Sequence, residues 1–109
     1  MNETIDLFLK KYLDKIKTSF HPQEMWIWGS YIYGKPRKDS DLDVVVISND
    51  FKKYRFIQRS SALTKELKTW ADKEIPDIDF LCYTPEEFEK KKSQISLARE
   101  ITSKGLKVL

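Results

Sequence analysis

Residues 28–47 read WGSYIYGKPRKDSDLDVVVI. Gly29-Ser30 closes one apolar run, and Asp41-Leu42-Asp43 opens the next. The run before the glycine, Met25-Trp26-Ile27-Trp28, is short and aromatic-rich, the composition of a strand. The run after the aspartates, Val44-Val45-Val46-Ile47, is β-branched throughout and predicts a strand buried on both faces. Lys35 to Ser40 is a polar loop, and Tyr31-Ile32-Tyr33-Gly34 fits a single helical turn or more loop. Side chains two apart on a strand share a face, so Asp41 and Asp43 project together from the strand's start. Two such carboxylates repel, and they cost desolvation energy if buried, so a cation or water must compensate.

Working outward, Ile5, Phe8, Leu9, Tyr12, Leu13 and Ile16 keep helical spacing, with Asn2 or Thr4 as the cap, and Phe20-His21-Pro22 ends that helix. On the other side, Phe56, Ser60, Leu63, Leu67 and Trp70 form a stripe that predicts a helix from about Lys52 to Trp70. Asp77 to Thr84 reads as a third strand. Thr84, Pro85 and Glu87 then make a capping box, with Tyr83 and Phe88 placed to staple across it. A further helix is expected over 93–104, stopped by Gly105, with a final short strand in Leu106 to Leu109. This order predicts a mixed α/β (α+β) fold, a small mixed β-sheet with helices packed on it.

With 109 residues, the chain has room for one domain, residues 1–109. Its 40% hydrophobic content supports one modest core. A net charge of +3 is too small to argue for a dedicated nucleic-acid binder. No stretch of about 18 apolar residues marks a membrane span, and the charged N-terminus is not a signal peptide, so a cytoplasmic location is expected. The single cysteine, Cys82, lies in an apolar run and reads as a small buried hydrophobe. His21 reads as a loop residue, Trp26 and Trp28 as packing on one strand face, and the basic helix near Lys52 to Lys68 as a solvated face.

Hard carboxylate oxygens at the spacing of Asp41 and Asp43 suit Mg²⁺ or Mn²⁺. A bare Asp-x-Asp more often opens a solvated strand, and Gly-Ser alone is an ordinary turn. Their combination is more specific. Gly29 lets backbone approach a ligand, Ser30 adds a hydroxyl, and a helical turn starting there would offer free N–H groups to phosphate.

The segment Gly29 to Ile47 resembles the signature of minimal nucleotidyltransferases of the DNA polymerase β-like superfamily: Gly-Ser, ten residues, then Asp-x-Asp. The closing AREITSKGLKVL resembles that family's final helix, glycine and strand. The resemblance covers most of the chain. It implies a polymerase β-like nucleotidyltransferase fold and one minimal nucleotidyltransferase domain over residues 1–109. It further implies that Gly29 and Ser30 hold the triphosphate of ATP or another NTP. Asp41, Asp43 and a third carboxylate would be catalytic and hold Mg²⁺ or Mn²⁺. Asp79 matches the third carboxylate best, with Asp77, of the same parity, as the backup. Many relatives carry arginines where this chain has Tyr31-Ile32-Tyr33; Lys35, Arg37 or Lys38 are candidate substitutes. Similar proteins are paired with a small helical HEPN toxin, which the nucleotidyltransferase modifies with AMP as antitoxin. The resemblance thus implies such a partner, with neither membrane nor nucleic acid expected. The rival reading is a non-catalytic module that neutralises a helical partner by contact.

Overall fold

The computed structural model describes residues 2–37, 39–94 and 97–109, with the backbone alone at Tyr33. Helix α1 spans Glu3–Phe20, and the Asn2 side chain caps it by accepting from the Thr4 and Ile5 N–H groups. His21 ends α1 in the left-handed conformation and sets its Nδ1 2.8 Å from Asp50, a partner the sequence did not suggest. Strand β1, Glu24–Trp28, runs into a one-turn helix α2, Ser30–Tyr33. Strand β2 is Leu42–Ile47, β3 is Ile78–Tyr83 and β4 is Leu106–Lys107. The sheet order is β3-β2-β1-β4, with β1 antiparallel to both β2 and β4 and with β2 parallel to β3. The parallel pair needs a crossover, and helix α3, Phe56–Leu67, supplies it.

Side-chain alternation sorts the sheet into two covered faces. Met25, Ile27, Leu42, Val44, Val46, Phe80 and Cys82 pack with Ile5, Phe8 and Ile16 of α1 and Leu63 and Leu67 of α3. Val45, Ile47 and Tyr83 pack on the other face with Phe88 of helix α4, Pro85–Lys92, and with Ala98 and Ile101 of helix α5, Leu97–Lys104. Val44 to Ile47 are all buried, as a strand covered on both faces requires. Trp26 and Trp28 pack against the second cluster, and Cys82 lies in the first.

The expected 52–70 helix is three pieces. A 3-10 turn covers Asn49–Lys53, extended Tyr54 and Arg55 interrupt, α3 follows, and Lys68 at φ 56° breaks it before a second 3-10 turn at Thr69–Ala71. The buried face of α3 is Arg59, Leu63 and Leu67, whereas Phe56 and Trp70 are 50% and 65% exposed. The capping box forms as expected, and the Tyr83 and Phe88 rings sit 5.7 Å apart across it. The expected 93–104 helix is shorter, because Ser93 is the C-cap of α4 and Gln94 is not helical; α5 is described over Leu97–Lys104, and Ile95 and Ser96 lie outside the described residues. Among the described residues, no helix is long and apolar enough to cross a membrane.

Candidate active site

The site begins with a glycine that no other residue can replace without strain. Gly29 has φ 86° and ψ −154°, a region essentially reserved for glycine. A Cβ there would lie 2.3 Å from Asp43 Oδ2. The turn therefore makes room for the Asp43 carboxylate as well as redirecting the chain into α2. The α2 turn closes through Ile32 N–H to Gly29 O at 3.0 Å and Gly34 N–H to Ser30 O at 3.1 Å.

Asp43 sits inside β2, opposite Trp28 of β1 and opposite Asp79 of β3. Trp28, Asp43 and Asp79 thus form one row across three strands. Asp43 is half-buried and Asp79 exposed, so the row opens to solvent at its β3 end. Asp41 falls one residue before β2 instead of inside it, and is exposed. Burial pushes the Asp43 carboxyl up to about 6, and the negative charges of Asp79 and Asp41, with a hydrogen bond to Asp79, push the same way. Asp77 does not contribute to that shift; its carbonyl accepts from Leu42 N–H at 2.9 Å and so starts the β2–β3 ladder.

The loop before Asp41 is held by hydrogen bonds of Arg37, Ser40 and Tyr31. Arg37 N–H donates to Ser40 Oγ at 2.8 Å, and Ser40 N–H donates to Arg37 O at 3.1 Å. The Tyr31 hydroxyl donates to Ser40 O at 3.2 Å. Burial, and secondarily Asp41, raise the Tyr31 pKa. Tyr31 thus ties α2 to the entry of β2, and a serine just before Asp-x-Asp was the available signal. Lys35 and Arg37 are exposed, and Lys38 lies outside the described residues. A polar cleft of about 450 Å³ takes in Asn2, Thr4, Tyr31, Arg37 and Lys73, but none of Gly29, Ser30, Asp43 or Asp79 lines it. Asp41 and Asp79 are exposed, with Asp43 half-buried beside them.

Among the described residues, no three His, Cys, Asp or Glu side chains converge into a ready-made metal cage. The donor set still fits a hard divalent cation. Burial, together with the charges of Asp79 and Asp41, favours the protonated form of Asp43, and a divalent cation there would offset most of the negative charge of the three carboxylates. Magnesium is commonly held by one or two carboxylates, with substrate phosphates and water completing the shell.

The four-stranded mixed sheet with its helices is the architecture of the polymerase β-like nucleotidyltransferases. Residues 9–76 match the family model described as the nucleotidyltransferase domain, and the chain belongs to that family. The matched span holds Gly29, Ser30, Asp41 and Asp43 and stops short of Asp79. Two solved structures are similar in fold. BolA1 from Arabidopsis thaliana has a TM-score of 0.55 and 17% identity, over 80% of this chain and 98% of that one. A Sulfolobus solfataricus protein, provisionally described as a nucleotidyltransferase, has a TM-score of 0.50 and 15% identity, over 83% of this chain and 81% of that one. At such identities both likenesses speak for the fold alone. No curated protein sequence matches the chain.

Proposed function

We propose that the chain transfers a nucleoside monophosphate, AMP from ATP, to a hydroxyl on a partner protein. The observation that carries this is the register that sets Asp43 against Asp79 beside the Gly29-Ser30 turn. Mg²⁺ or Mn²⁺, held by Asp43 and Asp79 with Asp41 alongside, would supply charge neutralisation and polarise the reacting phosphoryl group. The chain's own residues do the rest by positioning and electrostatics. The Gly29 backbone and the Ser30 hydroxyl orient the triphosphate. Asp79, at the exposed end of the row, receives the acceptor proton or orients the acceptor oxygen. That oxygen forms a bond to the α-phosphorus, the α–β bridging bond breaks, and pyrophosphate leaves.

A protein acceptor fits a site whose Asp41 and Asp79 are exposed and whose carboxylates lie outside the polar cleft. The resemblance to minimal nucleotidyltransferases supports a HEPN-type helical toxin as that acceptor, modified on a tyrosine, with this chain as its antitoxin. The test incubates wild type and Asp79→Asn with ATP, Mg²⁺ and a helical protein of the HEPN type, then weighs that protein by mass spectrometry. The expected result is an AMP-mass adduct with wild type and a loss of at least ~10²-fold in the variant. No adduct from wild type with any nucleotide, together with equal silencing of the partner by both forms, would replace the transferase by a contact-only module.

A further inference from the structure

Four consecutive exposed residues, Arg55-Phe56-Ile57-Gln58, open helix α3. Single exposed apolar residues are ordinary on a protein surface, but Phe56 and Ile57 are adjacent and are 50% and 77% exposed. The patch is rigid. The Phe56 ring lies 5.9 Å from the Tyr83 ring, and the Arg59 guanidinium lies 5.4 Å from the Phe56 centroid. Arg59 is itself buried and held by Glu87 at 2.6 Å and by the Cys82 carbonyl at 3.3 Å.

The rim of the patch is cationic. Lys53 and Arg55 are exposed and have no acidic partner among the described residues. Lys52 shares Glu86 at 3.0 Å, and Lys91 Nζ lies 5.9 Å from the Tyr83 centroid. The first turn of α3 carries no acidic residue, and Arg55 as N-cap makes no side-chain bond to it, so the helix dipole adds to the same positive field.

We propose that Phe56 and Ile57, rimmed by Lys52, Lys53, Arg55 and Lys91, form a docking surface for an acidic segment of a partner protein. That segment would seat an apolar side chain on the pair and its carboxylates on the rim. A second copy is the wrong occupant, because a two-fold contact would lay this cationic rim on itself. Single-stranded nucleic acid also fits less well. Ile57, the most exposed apolar residue of the patch, has no ring to stack on, and Phe56 already packs against Tyr83 and Arg59. The patch adjoins Tyr83 at the end of β3 whereas Asp79 is near its start, roughly 13 Å away at strand spacing. It therefore serves a partner whether or not that partner is modified.

The test measures binding of the full chain to three labelled probes by fluorescence anisotropy at low salt. These are a helical peptide with leucines flanked by glutamates, its lysine-for-glutamate counterpart and a uridine-rich RNA. The acidic peptide is expected to bind alone among the three and to weaken with added salt. Phe56→Ser with Ile57→Ser, and separately Lys53→Glu with Arg55→Glu, are expected to weaken it by at least ~10-fold. Because Phe56 touches Tyr83, the single variant Ile57→Asp is measured as well, with melting curves checking that each variant folds. Asp79→Asn should bind the peptide as wild type does, which separates this surface from the transfer reaction. The proposal is overturned if wild type ignores the acidic peptide, if folded variants bind it equally, or if the RNA is preferred. It is also overturned if sedimentation shows a self-association that Ile57→Asp abolishes.

Discussion

Gly29 and Asp43 act as one unit, because the space that a Cβ would take at residue 29 is where the Asp43 carboxylate lies. Gly29→Ala therefore combines positive-φ strain with a forced shift of Asp43. It should cost about 1–3 kcal/mol of stability in urea unfolding, with transfer falling in parallel. Asp43 carries its own signature. Its carboxyl titrates near 6 in the folded chain against an ordinary 3.8, so between those values the native state holds more protons than the unfolded one. Stability from this group is therefore highest at low pH, falls as pH rises through that window and stays reduced at pH 7. Asp43→Asn should melt above wild type at pH 7. The gain should be on the order of 1 kcal/mol, solvent screening of a half-exposed carboxyl being allowed for, and should shrink toward zero below pH ~4. The same variant should lose transfer, the pattern of a residue kept for function at the expense of stability. Gly-Ser and Asp-x-Asp were visible in the sequence as a motif. The contact between them was not, since it depends on how β1 meets β2.

At the scale of elements, local chemistry was legible wherever it was self-contained. The capping box of α4 and the β-branched β2 depend on neighbours within a few positions, whereas Tyr31 to Gly34 fitted a helical turn or loop equally and forms the turn α2. The region 52–70 misled because its apolar stripe continues past the true ends of α3. Phe56 and Trp70 keep the period yet face solvent, and the buried position beside Ser60 is Arg59. A charged residue is passed over in any apolar pattern, and the burial of Arg59 rests on Glu87, 28 positions away. That pair ties α3 to α4, while Arg59 also bonds the Tyr54 and Cys82 carbonyls. Removing the arginine takes the donor from those carbonyls and leaves Glu87 without its cation, with the Thr84 N–H as its remaining partner. Arg59→Ala should cost about 2–4 kcal/mol in chemical denaturation, and Glu87→Gln distinctly less, because Glu87 is partly solvated and the amide still accepts a hydrogen bond. The Glu87 pKa is lowered, first by its hydrogen bond to Arg59, so this pair's contribution is present above the ordinary carboxylate range and lost as pH falls below that range through the lowered value.

At the scale of the whole molecule, the site depends on one long-range fact, the parallel register of β2 on β3. Alternation alone places Asp77 and Asp79 on the same face and does not choose between them; the resemblance favoured Asp79. The register pairs Asp79 with Asp43 and leaves Asp77 to carry the first rung of the ladder by its backbone. Asp77→Asn should therefore leave transfer within about threefold of wild type, while Asp79→Asn abolishes most of it, in the same assay of AMP-mass adducts. The row from Trp28 through Asp43 to Asp79 was beyond any single-strand reading, because it needs all three strands aligned. On the proposed function, this alignment makes one cation-holding site out of two carboxylates 36 residues apart. Its most direct measurement is Mn²⁺ affinity, titrated in the presence of a non-hydrolysable ATP analogue for wild type, Asp43→Asn, Asp79→Asn and Asp77→Asn. Asp43→Asn and Asp79→Asn should each weaken binding by at least ~10-fold, and Asp77→Asn should not. Equal affinity in all four proteins, or a loss confined to Asp77→Asn, would contradict that reading.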